Sequence, residues 1–218
     1  MKKILLLLIT VLILSFSLVS CGGEKKKEEV PDREYVETEV IAAAKDLIKK
    51  TEDLNEIFWG EGLKYSTDIA PNGNYYVVDT FALLEYGIKS FDDIKKLTRD
   101  TFSKEYSNYI FSSSVFSPTY DSKGNIIYLA RYSQITDGGE SDILIHSKWE
   151  KLLFDSVEYH YDTVKVYDVE GNTVKVSIDC TVTDSESDKV GKKTITVGLV
   201  EEENGWRLNS PTYLNYSE

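Results

Sequence analysis

The stretch from Thr173 to Thr183, TVKVSIDCTVT, alternates without a fault. Val174, Val176, Ile178, Cys180 and Val182 take every second position, with Thr173, Lys175, Ser177, Asp179 and Thr181 between them. A period of two is that of a half-buried β-strand, with one face on a core and one toward water. The runs on either side read the same way. Val157 to Val169 turns at Glu170-Gly171-Asn172 into this strand, and the acidic loop DSESDKVG leads on to Lys192 to Glu202. There Glu203-Asn204-Gly205 turns into a short strand, Trp206 to Leu208. Strands joined by such short turns pair with their neighbours, so the second half of the chain predicts an antiparallel meander.

The first half has the other period. From Glu37 to Trp59 the residues Val40, Ile41, Ala44, Leu47, Ile48, Leu54 and Phe58 recur mostly at three and four. Lys45, Asp46, Lys49, Lys50 and Asp53 fill the other side, which predicts an amphipathic helix stopped at Gly60 and Gly62. Tyr75 to Thr80 reads as a short strand after the turn residues PNGN, and NIIYLARYS as another. In SFDD, the Ser90 hydroxyl and the Asp93 carboxylate form a variant capping box that starts a second helix. Ser103 is positioned to cap a further helical segment through Ile110. Helices early and strands late predict an α+β class: N-terminal helices packed on a curved antiparallel sheet formed mainly by the C-terminal half. No internal repeat is evident.

The amino terminus is organised differently. Lys2 and Lys3 precede an apolar run from Ile4 to Val19, the order of a secretory signal and shorter than the ~20 residues a stable membrane span needs. Leu18-Val19-Ser20-Cys21 resembles a bacterial lipobox, in which the cysteine thiol becomes a diacylglyceryl thioether and the signal is cut just before it. Cys21 is then a lipid attachment point, and two or more acyl chains such as palmitate hold a protein stably on a bilayer. Residues 22 to 34, GGEKKKEEVPDRE, are glycine-led, charged and broken by Pro31, so they read as a flexible tether reaching about 20 Å. The expected organisation is a lipoprotein signal peptide over 1–20, an acylated tether over 21–34 and one globular domain over 35–218. Such a protein faces outward from the bacterial cell membrane and meets it through the lipid anchor only.

Charge narrows the partners. The chain carries a formal charge of −12, which becomes −14 once residues 1 to 20, with their two lysines, are removed. An acidic surface repels nucleic acid and suits either plain solubility or a basic partner. With Cys21 acylated, Cys180 is the one cysteine left, so no disulfide within the domain is expected, and its strand position makes it a buried structural thiol.

Catalytic signatures are missing: there is no phosphate loop, nucleophile elbow, CxxC or HExxH. His146 and His160 are too few for a typical zinc site, and His160, between Tyr159 and Tyr161, reads as a sheet-surface residue. His146 reads either as a core-edge or as an interaction residue. The expectation is a binding protein that is not an enzyme, with no cofactor and no metal. The one unusual segment is YSQITDGGESDILIHSKW, where Asp137, Glu140 and Asp142 surround Gly138-Gly139. Two glycines open backbone conformations closed to other residues, which lets a protruding loop display the three acids; a solvated turn is the simpler reading.

Taken in order, the helix ending in Phe58-Trp59-Gly60, the Ser90-led SFDDIKKLTRDTFSKEYSNYI, GNIIYLA, the Gly138-Gly139 loop before Trp149 and the closing GWRLNSPTY resemble the IseA family. Members of that family are secreted bacterial inhibitors of the DL-endopeptidases, autolysins that cut peptidoglycan stem peptides. The resemblance covers most of residues 36 to 214. It implies that Asp137, Gly138, Gly139, Glu140 and Asp142 plug the basic catalytic groove of a cell-wall hydrolase, and a lipid anchor would confine that control to the layer next to the membrane. The lipid anchor and strand-rich tail also resemble lipoproteins of the cystatin-like, or nuclear-transport-factor-2-like, superfamily. That alternative implies a cavity for a small hydrophobic or carbohydrate ligand, lined by residues such as Tyr75, Phe81, Phe102 and Trp206.

Overall fold

Helix α1 (Arg33–Phe58) is the longest element of the computed structural model, which describes residues 33–69, 73–137, 140–146, 148–149, 156–170, 172–184 and 187–213. Its buried positions Val40, Ala44, Leu47, Ile48, Thr51, Leu54, Asn55, Ile57 and Phe58 follow the helical period and extend the anticipated stripe with Ile57 and two polar residues. The two polar residues are satisfied together. Asn55 Nδ2 donates to Thr212 Oγ1 at 3.0 Å, Thr212 Oγ1 to Thr51 Oγ1 at 2.7 Å, and Thr51 Oγ1 to Ile48 O at 2.6 Å. From strand β7 (Ser156–Glu170), Tyr159 OH donates to Thr212 O at 2.7 Å, so one buried network joins α1, the C-terminal segment and a sheet.

The short strand expected from Tyr75 to Thr80 ends at Val78 as β2 (Tyr75–Val78), and helix α2 (Thr80–Glu85) begins there. Asp79 makes the switch, because its Oδ1 accepts the Phe81 N–H at 2.8 Å and caps the new helix. Helix α3 (Phe91–Thr101) follows the anticipated cap, Ser90 Oγ accepting from Asp93 N–H. The Asp93 carboxylate reaches back one residue further than expected, to the N–H of Lys89 at 3.0 Å. That bond, with those from Ser90, lowers its pKa below the usual carboxylate range. Ser103 caps α4 (Lys104–Ser112), accepting from Tyr106 N–H.

Among the described residues the strands form two four-stranded sheets and a small hairpin, all antiparallel within the strand pairs. The C-terminal sheet has the order β10-β9-β8-β7, built from β7 (Ser156–Glu170), β8 (Thr173–Thr183), β9 (Val190–Glu202) and β10 (Gly205–Leu208). This is the anticipated meander, and Val176 opposite Val197 and Ile178 opposite Ile195 form its core face. The second sheet, of order β1-β2-β6-β5, adds β1 (Tyr65–Ile69), β5 (Tyr132–Asp137) and β6 (Glu140–His146). The class is α+β as anticipated, with the helices early and the antiparallel strands mostly in the C-terminal half; the described strands divide between two sheets whose core faces share one hydrophobic cluster with the helices.

NIIYLARYS is not one strand. It is β4 (Ile126–Tyr128), a break at Leu129 to Arg131, and the start of β5. The break has a cause: Tyr75 OH donates to Ala130 O, Arg131 N–H to Ser114 O, and the Arg131 side chain turns inward to the end of α1. β3 (Thr119–Tyr120) pairs with β4, and the Asp121 carboxylate accepts the N–H groups of Lys123 and Asn125 to hold the turn between them. Among the described residues no helix is long and apolar enough to cross a membrane.

Candidate functional site

The β5–β6 ribbon carries the acidic segment. Its register pairs Asp137 with Glu140, Thr136 with Ser141, Ile135 with Asp142, Gln134 with Ile143 and Ser133 with Leu144. Residues opposite each other share a face, and the period along each strand is two. By register, Asp137, Glu140 and Asp142 therefore belong to one face, in line with Ile135 and Leu144. Gly138 and Gly139 lie outside the described residues, as does Cys21. The same face continues as a small apolar cluster, with Tyr75 and Leu144 buried and Val77, Leu129 and Ile135 packed on them. The opposite face, with Ile143, Ile145 and Tyr132, belongs to the main core. Backbone register thus sets three acids at one end of a sheet face that continues through Ile135, Leu144, Val77 and Tyr75.

His146 stands at the other end of that face, opposite Tyr75 and edge-on to its ring at 5.3 Å. Its N–H donates to Arg131 O and its Nδ1 accepts the Lys148 N–H, so the ring belongs to the turn after β6. Burial, then the Lys148 charge, push its pKa down. His160 lies on the outer face of the C-terminal sheet with Nε2 2.9 Å from Thr181 Oγ1, as its position between two tyrosines implied. Cys180 is buried, its thiol 3.5 Å from Lys193 O and pushed up in pKa by burial and then by Asp179. Raised pKa and burial suit packing rather than attack.

The residues named for a ligand cavity do not gather. Phe81 is 80% exposed on α2, Tyr75 sits in the minor cluster, and Phe102 and Trp206 belong to the main core. Two open clefts lie elsewhere: one of about 430 Å³ bordered by Ser103, Lys104, Glu105, Asn108, Val200, Glu202 and Asn209, and one of about 250 Å³ bordered by His160, Asp179, Cys180, Lys192, Lys193 and Thr194. Among the described residues no group of three or more His, Cys, Asp or Glu has the arrangement of a metal site.

Sequence reasoning missed Arg131. Its side chain is 0% exposed, with Nη1 donating to Phe58 O at 3.1 Å and Nη2 to Gly60 O at 2.9 Å. The neighbouring Tyr132 OH donates to Ile57 O and accepts the Leu63 N–H. Together they close the C-terminal end of α1: backbone N–H groups of Trp59, Gly60 and Gly62 meet Asn55 O and Glu56 O, and the two side chains meet Ile57 O and Phe58 O, which carry partial negative charge. Desolvation lowers the guanidinium pKa, with Tyr132, Glu56 and Glu61 opposing it. The signal for Arg131 in the sequence was a lone cation inside the apolar run IIYLARY. Trp149, with its indole face 5.2 Å from the guanidinium, was read only as a landmark.

Compared with known proteins, the chain matches no family model and no curated protein.

Proposed function

We propose that this chain is a membrane-tethered, outward-facing binding protein that docks a cell-wall hydrolase of the DL-endopeptidase class and restrains it. The observation that carries this reading is the β5–β6 register, which gives Asp137, Glu140 and Asp142 one shared face at the end of a two-stranded ribbon. A ribbon end of that kind suits a basic groove, and acidic groups there would steer encounter and fix register. Support also comes from the β3–β4 hairpin, where Tyr120, Ile126, Ile127 and Tyr128 are all exposed on a turn held by Asp121. Contiguous exposed apolar residues are a common mark of a protein-binding surface. Lipidation at Cys21 would keep the complex next to the membrane.

The test uses the chain with Cys21→Ser, which removes the acylation site. It should slow stem-peptide cleavage by a purified DL-endopeptidase from the same envelope in a dose-dependent way. The triple variant Asp137→Asn, Glu140→Gln, Asp142→Asn should weaken that inhibition at low salt, and the gap should narrow as ionic strength rises. Cleavage unchanged at every dose, across the cognate hydrolases, would end this reading.

A further inference from the structure

The larger open cleft, of about 430 Å³, lies where the start of α4 meets the ends of β9 and β10. The backbone fixes that junction. Ser103 N–H donates to Leu208 O at 2.8 Å, Asn209 N–H donates to Gly198 O at 2.8 Å, and Phe102 pairs with Leu208 in an isolated parallel bridge. Two side chains on the border, Glu202 and Asn209, are half-buried and tied down by one oxygen each. Glu202 Oε1 accepts the Lys104 N–H at 2.8 Å, and Asn209 Oδ1 accepts the Ser103 hydroxyl. Because Ser103 and Lys104 are consecutive, the carboxylate and the amide are held next to each other. Each keeps a second group uncommitted: Glu202 Oε2 is an acceptor, and Asn209 Nδ2 carries two donors.

Around this pair stand the exposed side chains of Lys104, Glu105 and Asn108, which make no hydrogen bond or ion pair with the described residues. Val200 is the one apolar residue described on the border. The helix start is not the binding element, since its N–H groups at Lys104 and Tyr106 already meet Glu202 and Ser103. The mixture narrows the ligand. Glu105 and Glu202 repel an anion such as a phosphate or a carboxylate. A flat apolar ligand needs apolar or aromatic walls, which this border lacks. A metal ion needs several converging ligands, and among the described residues no group of three or more His, Cys, Asp or Glu is so arranged. A hydroxyl group both donates and accepts, so a ligand rich in hydroxyls can use carboxylates, amides and an ammonium together.

From this arrangement we infer that the cleft is a binding site for a saccharide, with Glu202 and Asn209 as its central pair. Of two neighbouring hydroxyls on one sugar ring, one donates to Glu202 Oε2 and the next accepts from Asn209 Nδ2. The bond to the carboxylate is charge-assisted and is the stronger of the two. Lys104, Glu105 and Asn108 take further hydroxyls at the rim, and the C–H groups of the ring lie toward Val200. The volume is that of a small-molecule site. The sugar is either free or one unit of a polymeric glycan, and the recognising chemistry is the same for both. This site shares no residue with the acidic ribbon and does not depend on the hydrolase reading.

The experiment is a titration of the ¹⁵N-labelled Cys21→Ser chain, reading the side-chain amide resonances of Asn108 and Asn209. Glucose and N-acetylglucosamine represent the free sugar, chitotriose the glycan, and glycine betaine, which has no hydroxyl, is the control. The expected result is a saturable shift of both amides with at least one of the three sugars and none with betaine. Whichever sugar saturates at the lowest concentration names the source. Asn209→Asp keeps the oxygen that accepts from Ser103 and loses the donors, and Glu202→Gln keeps an oxygen for the Lys104 N–H and loses the other acceptor. Each should raise the sugar concentration for half-saturation, read at Asn108, at least tenfold. Asn108→Ala removes an exposed, unbonded side chain, so it spares the fold, and it should raise that concentration severalfold when read at Asn209. Two results would overturn the assignment: no saturable shift with any of the three sugars, or saturation at unchanged concentration in the variants, which would put the sugar elsewhere on the chain.

Discussion

The two four-stranded sheets hold the same number of strands and share one core, but they are assembled by different means. In the C-terminal sheet every pairing joins strands that follow one another along the chain, β7 to β8, β8 to β9 and β9 to β10. In the other sheet two hairpins, β1–β2 and β5–β6, meet through the β2–β6 pairing, with three helices and the β3–β4 hairpin lying between them in sequence. The first needs only turns and a clean apolar face. The second joins segments that are distant in the chain, and Arg131 with Tyr132, clasped on the end of α1, ties the start of β5 to the first helix. Local pairing is therefore written as periodicity, whereas non-local pairing is written as single polar residues in apolar surroundings.

The strongest test of that contrast removes mass from the shared core. Ile178 is fully buried opposite Ile195, and Ile178→Ala should cost about 4 kcal/mol in chemical denaturation, because it opens a cavity in the hydrophobic cluster to which both sheets belong. Amide exchange should then quicken in β5 and β8 alike. Exchange confined to β8 would show that the sheets do not share cooperativity.

Gly62→Ala strikes only the anchored sheet. Gly62 has φ +83°, and an added Cβ would lie 2.1 Å from Arg131 Nη2 and 2.9 Å from Tyr132 OH. A left-handed backbone and a displaced clasp should together cost about 3 kcal/mol. The informative readout is again by sheet: β5 and β6 amides should lose protection while β8 amides hold theirs longer. Equal loss in all three strands would erase the distinction drawn between the two assemblies.

The smallest effect is a matter of pH. His146 has its folded pKa below the ordinary 6.5, so the unfolded chain takes up a proton first as pH falls. Its contribution is whole above pH 6.5 and is lost as pH drops through that value toward the folded pKa. His146→Gln should therefore flatten the fall in melting temperature between pH 7.5 and 5.5, and an unchanged slope would mean that the ring beside Tyr75 does not sense burial.

How much of this could be read from residues alone follows the same division. The alternation of β8, the Ser90 and Ser103 caps and the stripe of α1 are local statements, and the structure contains them. Helix α2 was equally local: Asp79 ahead of FALLE, with Gly87 at φ +66° beyond it, is a cap, a helical run and a stop, hidden by extending the strand two residues too far. Strand β1 carried no comparable pattern in YSTDI. Arg131 was legible as an oddity but not as a clasp, because its acceptors at Phe58 and Gly60 lie 73 and 71 positions away. The acidic ribbon was found by composition, yet its shared face came from register, which depends on pairing.

The Thr212 network has a kinetic meaning. Its bonds to Asn55 and Thr51 close chain separations of 157 and 161 residues, the longest in the hydrogen-bonded core described above. Closing such loops costs entropy before any contact rewards it, which favours making these bonds last. Interactions made after the barrier leave the folding rate nearly alone and act almost wholly on unfolding. Thr212→Val is therefore expected to quicken unfolding and leave the folding rate nearly unchanged, the signature of a latch, read from the two arms of a stopped-flow chevron.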